Sequence, residues 1–113
     1  MAEIITMGEL LVEIMRPSED IPLYKSDYFR GPFPSGAPGI FISTAARLGH
    51  STAIISGVGR DDFGENILQR LKLDGVDITR VLISDKGNMQ KIPSYVQERM
   101  KAYLRQKLQL SKF

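Results

Sequence analysis

The sequence predicts an α/β fold in which a layered, parallel β-sheet is flanked by helices. The central observation is a strand of the buried type, residues 52–56, that lies between two segments with helical spacing of apolar residues. A glycine-rich turn precedes each helical segment, at residues 35–39 and 57–64. Because parallel strands need helical crossovers and are apolar on both faces, this alternation favours a Rossmann-like layered sheet.

The composition fits one ordinary globular domain and excludes several other classes. The chain has 113 residues, of which 42% are hydrophobic and 25% charged, and it has no cysteine. Disulfides and thiolate metal sites are therefore excluded, and a reducing cytoplasm is the expected location. Glu3 and the lack of an early basic region argue against a signal peptide, and no apolar run approaches the roughly 20 residues of a membrane span.

The N-terminal third is predicted to hold one strand and a turn-rich segment. Residues 4–14 have the β-branched content of a strand, which contains Glu9 and Glu13. Burial preferences alone place both carboxylates on an exposed face or beyond a strand end. The prolines and glycines of residues 16–31 predict turns, with short strands at 23–24 and 28–29.

Two helices and a last strand are predicted in the middle of the chain. The first helix, residues 39–48, ends before Gly49, and we interpret His50 as a solvent-facing residue after the helix. Asp61 or Asp62 is expected to cap the second helix rather than to bind a metal, and Asp74-Gly75 is expected to close it. A further strand is expected at residues 81–83.

The C-terminal segment differs in charge from the rest. Residues 1–85 carry 8 Lys+Arg and 12 Asp+Glu (net −4), whereas residues 86–113 carry 7 and 1 (net +6). Residues 94–110 are predicted to form one basic amphipathic helix behind a Ser94/Gln97 capping box. Such a helix either docks on the body of the protein or binds a partner, and no nucleic-acid motif or membrane span accompanies it.

Several motifs in residues 3–84 resemble the N-terminal half of the ribokinase-like (PfkB) carbohydrate kinases. The matching stretches are Gly36-Ala37-Pro38, Arg47-Leu48-Gly49 and the glycine-rich residues 57–64, with residues 7–13 and 73–77 at the flanks. Residues 86–113 do not match. The resemblance implies two parts: residues 1–85, a ribokinase-like α/β domain that is incomplete relative to the full fold, and residues 86–113, the basic helix.

The resemblance also implies a sugar site. In the family, an acidic residue at the position of Glu13 accepts hydrogen bonds from sugar hydroxyls, and Ser35, Gly36 and Ala37 correspond to the turn that contacts the sugar. Residues 16–34 correspond to a small β lid over the sugar, although a surface hairpin with packed aromatic residues is equally compatible with the sequence. Ile40 departs from the family pattern, which has a sugar-binding Asn there.

The implied activity is ATP-dependent phosphoryl transfer to a sugar hydroxyl, with Mg²⁺. The family's Gly-Ala-Gly-Asp anion hole and nucleotide pocket do not occur in these 113 residues, so no catalytic residue is assigned and the chain is expected to be inactive alone. Expected partners are a sugar and either a second copy or the missing half, because a partial sheet leaves an unpaired edge. The alternative is a non-enzymatic α/β protein that binds a partner through its basic helix.

Overall fold

The computed structural model describes residues 2–85 and residue 102. In chain order the elements are β1 (Ile4–Met7), β2 (Leu11–Met15), β3 (Arg30–Ser35), α1 (Ala37–Arg47), β4 (Thr52–Gly59), α2 (Asp62–Asp74) and β5 (Val81–Ser84). The predicted helix at residues 94–110 lies outside the described residues except for position 102.

The main sheet is parallel, and β4 lies at its centre. The strand order is β1-β4-β5, with Ile4 opposite Thr52 and Ser56 opposite Val81. Helices α1 and α2 pack on the same face of the sheet, because both contribute to one apolar cluster. The buried members of that cluster are Leu10, Ile42, Ile54, Val58, Ile67, Leu71 and Val76. The predicted layered α/β fold with a parallel sheet is confirmed.

Strand β4 is longer than predicted and absorbs most of the second glycine turn. It continues through Gly57, Val58 and Gly59, where β5 pairs with it and Gly59 lies opposite Ser84. Only Arg60 and Asp61 remain between β4 and α2. The predicted loop at residues 57–64 was wrong in extent, because the neighbouring strand supplies hydrogen-bond partners that keep these glycines extended.

The single strand predicted at residues 4–14 is two strands in different sheets. Strand β1 pairs with β4, whereas β2 pairs antiparallel with β3, so that Glu13 lies opposite Phe33. Between the two strands, Leu10 turns into the apolar cluster and is only 6% exposed. Burial of Leu10 therefore diverts the chain from the main sheet to a second, two-stranded sheet.

The strands predicted at residues 23–24 and 28–29 do not form, and the chain becomes extended only at β3. The loop before β3 is held by Arg16 instead of by strand pairing. The guanidinium of Arg16 donates to the carbonyls of Tyr28, Pro22 and Leu23, each at 3.3 Å, and lies 4.0 Å from the centroid of the Phe29 ring. Hydrogen bonds from the Arg16 side chain to backbone carbonyls thus replace the strand-to-strand hydrogen bonds that we expected for this segment.

The predicted helix ends are largely confirmed. The Asp61 carboxylate accepts a hydrogen bond from the Gly64 amide at 2.7 Å, which is the capping role expected of it. Gly75 ends α2 in the left-handed conformation, with φ of 93°. His50 is exposed, and its Nδ1 lies 3.5 Å from Oε2 of Glu3.

The first turn of α2 packs unusually close to the end of β4. An added Cβ at Gly64 would lie 2.0 Å from the carbonyl oxygen of Gly59, whereas one at Gly39 would lie 2.9 Å from Cδ2 of Leu10. A backbone oxygen cannot move aside, but a leucine methyl group can. Only glycine therefore fits at position 64, whereas position 39 can accept a small side chain if Leu10 moves slightly.

We expect Gly64→Ala to lower the free energy of unfolding by more than about 2 kcal/mol, because overpacking a core typically costs about 1–3 kcal/mol. Gly39→Ala is the matched control, since its added methyl group meets a movable side chain and alanine favours helix by roughly 1 kcal/mol. Urea denaturation measures both. Equal losses in the two variants would contradict the close packing of α2 on β4.

A second prediction concerns the turn before β5. The backbone amide and hydroxyl of Thr79 donate to Oδ1 of Asp77 at 2.9 and 2.7 Å, and these bonds, with the nearby Arg80, lower the pKa of Asp77. A lowered pKa in the folded state stabilises the protein above the unfolded value of about 3.9, and this contribution is lost as the pH falls through the folded value. The side chain of Asp77 is 42% exposed and solvent screens its charge, so Asp77→Asn should cost no more than about 1 kcal/mol at pH 7.

The difference in unfolding free energy between wild type and Asp77→Asn should shrink as the pH is lowered from about 5 to about 3. Chemical denaturation at a series of pH values measures it. A difference that stays constant over this range would show that the charge of Asp77 contributes nothing.

Candidate functional site

The start of α1 forms one side of the predicted site. Ser35 is half-buried at the end of β3, Gly36 is the buried N-cap with φ of 94°, and Ala37 is exposed at the first helical position. No side chain caps this helix, and its second residue is a proline without an amide hydrogen. The amides of Ala37 and Gly39 therefore have no acceptor within the helix and are directed toward its open end.

Glu13 lies on the neighbouring strand. Leu11 pairs with Ser35 and Glu13 with Phe33, so Glu13 and Ser35 are diagonal neighbours on one face of the two-stranded sheet. Such diagonal neighbours are about 7–8 Å apart, and their Cβ atoms are somewhat closer. The carboxylate of Glu13 is exposed and has no hydrogen-bond or ion-pair partner among the described residues.

Glu13 and Ser35 are thus neighbours on one face, whereas Gly36 and Ala37 continue from Ser35 away from Glu13, and Gly36 packs beside residues 9–11. Glu13 offers only acceptors, the hydroxyl of Ser35 offers a donor and acceptors, and the start of α1 offers amide donors. This is the set of groups that a polyhydroxylated ligand requires. The binding role of these residues stays a prediction.

A cleft of about 440 Å³ extends away from this cluster between α1, α2 and β3. Ser35 is the one predicted residue that lines it. Ile40 lines it too and is 56% exposed, and its backbone carbonyl accepts a hydrogen bond from the Thr44 hydroxyl at 2.8 Å. An apolar side chain therefore stands where the resembled family has a hydrogen-bonding Asn.

The sequence did not predict that three charged residues, Arg47, Arg70 and Asp74, come together at the far end of the cleft. Asp74 lies between two arginines: Nε of Arg47 is 3.2 Å from one carboxylate oxygen and Nε of Arg70 is 3.3 Å from the other. The side chain of Asp74 is only 5% exposed. The helical spacing of Ile67, Leu71 and Asp74 could have revealed this cluster. It places Asp74 on the buried face of α2, where a carboxylate needs a positively charged partner.

The described residues do not fit a nucleotide–metal site. Within residues 2–85, no group of three His, Cys, Asp or Glu side chains could hold a metal ion. The acids at the start of α2 would repel a triphosphate, and Asp61 already caps the helix. A search of the described helices for one long and apolar enough to cross a bilayer finds none.

Comparison with known proteins identifies the family. A sequence model of the pfkB family carbohydrate kinases matches residues 2–100. The chain belongs to the PfkB family. The match extends beyond residue 84, where we expected the resemblance to stop, and so includes part of the segment that follows β5.

The curated relatives are much longer than this chain. A sugar kinase of Pyrococcus horikoshii, described as uncharacterized in its crystal structure, is 33% identical over an 87-residue alignment that covers 74% of this chain and 26% of the relative. The Arabidopsis thaliana protein named "Probable fructokinase-7" is 32% identical over 74 residues, 66% of this chain and 21% of the relative. The PfkB chain described here spans about a quarter of the length of these relatives.

Solved structures share the fold. The E. coli protein provisionally named ribokinase II, crystallised with ATP and Mg²⁺, is 43% identical with a TM-score of 0.74 over 76% of this chain and 28% of that chain. Fructokinase of Halothermothrix orenii is 26% identical with a TM-score of 0.67 over 74% and 30% of the two chains. The described residues therefore form part of a ribokinase-like fold.

The geometry of the turn before α1 yields a stability prediction. A Cβ added at Gly36 would lie 3.0 Å from the carbonyl oxygen of Glu9 and 3.3 Å from the amide nitrogen of Leu11, whereas one at Gly49 has nothing within 4 Å. Both glycines have nearly the same φ, 94° and 96°. Alanine at either position therefore meets the same backbone strain, and only Gly36→Ala adds a clash.

Backbone strain should lower the free energy of unfolding of both variants by roughly 1 kcal/mol. The clash with residues 9–11 should lower that of Gly36→Ala by about 1 kcal/mol or more in addition. Thermal or urea unfolding of Gly36→Ala and Gly49→Ala measures the difference. If Gly49→Ala loses as much stability as Gly36→Ala, the turn before α1 does not pack against residues 9–11 as described.

Proposed function

We propose that this chain binds the sugar in an ATP-dependent carbohydrate kinase. The observation that carries the proposal is the unpartnered carboxylate of Glu13, on the same face of the two-stranded sheet as Ser35, the last residue before the turn into α1, in a chain of the PfkB family. The names of its relatives, a sugar kinase and a fructokinase, support a sugar as the acceptor.

Each group has a role that follows from its chemistry. The Glu13 carboxylate accepts hydrogen bonds from two sugar hydroxyls, since an ionised carboxylate is purely an acceptor and forms charge-assisted bonds. The Ser35 hydroxyl and the amide of Ala37 bind further hydroxyl oxygens, and Gly36 lets the backbone turn between them close to residues 9–11. The two-stranded sheet, with the loop that Arg16 holds, acts as the lid over the bound sugar.

Phosphoryl transfer is assigned to no described residue. The E. coli neighbour binds ATP and Mg²⁺, which supports their use in this family, but the acids at the start of α2 do not suit a nucleotide. We propose that this chain is inactive by itself and that the nucleotide and the catalytic base come from the part of the relatives that it does not span. It would act in the cytoplasm, as its lack of cysteine suggests.

Self-association is a second proposal about partners. The loop before β3 carries three largely exposed apolar side chains, Leu23, Tyr24 and Tyr28, at 76%, 85% and 85% exposure. Apolar surface of this kind is typical of a contact with another chain. The alternative of a non-enzymatic protein acting through its basic helix concerns residues outside the described part of the chain, and no observation favours it.

The sugar site is tested by calorimetric titration of the full chain with a panel of ketoses and aldoses. We expect at least one sugar to bind, and Glu13→Gln to weaken its affinity at least tenfold. Loss of a hydrogen bond to a charged group costs about 1.5–3 kcal/mol, and tenfold corresponds to about 1.4 kcal/mol.

Glu65→Gln is the control, since Glu65 is also an exposed acid but lies on α2, where it accepts a hydrogen bond from Gln69. It should leave the affinity unchanged. The proposal fails if no sugar binds at millimolar concentration, or if both variants bind the sugar as wild type does.

A further inference from the structure

The cleft between α1 and α2 leads away from the proposed sugar site toward two arginines. Helix α1 has 11 residues, so its two ends are about 16 Å apart. Ser35 and Ile40 line the cleft near one end of the helix, and Arg47 lines it at the other. We propose that the arginine end is a separate binding site for an organic anion, whose apolar body lies along the cleft and whose single charged group meets Arg47 and Arg70.

The charges at this end are unequal. Two guanidinium groups lie against one carboxylate, that of Asp74, and no other acid lines the cleft within residues 2–85. Asp74 is almost fully buried, so its charge is neutralised by one arginine, and the second cation remains in a partly enclosed space. A ligand with one negative charge would neutralise the net positive charge of Arg47, Arg70 and Asp74.

The arginines have donors to spare. Each arginine approaches Asp74 through Nε. Within residues 2–85, the two terminal nitrogens of each guanidinium group make no hydrogen bond or ion pair. Their side chains are 60% and 40% exposed, so a ligand can reach them. The fit to Asp74 is also imperfect, because its Oδ2 is buried without a hydrogen bond although Nε of Arg70 is 3.3 Å away.

The rest of the cleft explains why the ligand is organic. Its wall includes Ile40, Ile67 and Leu71, and Phe33 and Pro34 extend it toward β3. A volume of about 440 Å³ falls in the range of roughly 300–1,000 Å³ that small-molecule sites occupy. An inorganic ion would leave this apolar surface unused, whereas an amphipathic carboxylate or phosphate monoester covers it.

A purely structural role makes different predictions. Arg47 lies in the last turn of α1, where a cation is favourable, and Asp74 joins the ends of the two helices. If that were all, removing the charge of Asp74 would lower stability and leave anion affinity unchanged. As an anion site, the cleft must bind more tightly once the competing carboxylate is neutralised. The two roles therefore differ in the effect of Asp74→Asn on binding.

The test uses the full 113-residue chain with octanoate as the probe and octanamide as its neutral counterpart. Amide shifts in ¹⁵N–¹H NMR spectra report binding residue by residue. We expect octanoate to give saturable shifts at Ser43, Thr44, Arg47 and Arg70, and octanamide to bind at least tenfold more weakly. A titration to about 10 mM detects binding with a dissociation constant of roughly 1 mM. Equal affinity for the two probes, or no saturable shift with octanoate in this range, would overturn the proposal.

Variants separate charge from structure. Arg47→Gln and Arg70→Gln should each weaken octanoate at least tenfold, while Arg60→Gln, an exposed arginine outside the cleft, should have no effect. Asp74→Asn should strengthen octanoate severalfold, and unchanged or weaker binding would overturn the proposal. If Asp74→Asn does not fold, the two arginine variants decide. None of these residues belongs to the proposed sugar site, so failure here leaves that site untouched.

Discussion

The structure depends on the central position of β4. Its first seven residues are buried, it pairs in parallel with β1 on one side and β5 on the other, and its side chains Ile54 and Val58 anchor the apolar cluster. Because both helices pack on the same face of this strand, they lie side by side and leave a cleft between them. The close approach of Gly64 to the carbonyl of Gly59 holds the first turn of α2 against the end of β4.

The candidate sugar site follows from how the chain leaves this sheet. Leu10 is drawn into the apolar cluster, so the chain turns there and β2 pairs with β3 instead of continuing β1. That change of partner brings Glu13 beside Ser35, although the two are far apart in sequence. The apolar cluster thus determines where Glu13 and Ser35 lie, although neither residue belongs to it.

The sequence predicted the elements whose cause is local. Spacing of apolar residues located both helices. Residue type predicted a cap at Asp61 or Asp62, of which the structure has Asp61, and the terminator Gly75, because caps depend on a few neighbouring residues. Three features escaped prediction because their causes are distant in sequence. The break at Leu10 depends on α1 and α2, the extension of β4 through Gly57 and Gly59 depends on β5, and the loop after Arg16 depends on carbonyls six to twelve residues away. The grouping of Glu13 with residues 35–37 came from family resemblance, and the Arg47–Asp74–Arg70 cluster was missed because it joins two helices.

We propose that Glu13, Ser35, Gly36 and Ala37 contact sugar hydroxyls. The most direct measurement is a titration of the isotope-labelled chain with the best-binding sugar, followed by the amide shift of every assigned residue. We expect saturable shifts concentrated at Glu13, Ser35, Gly36 and Ala37, with little change in α2. Saturable shifts centred on α2 or on β5, with the amides of residues 35–37 unmoved, would contradict this proposal.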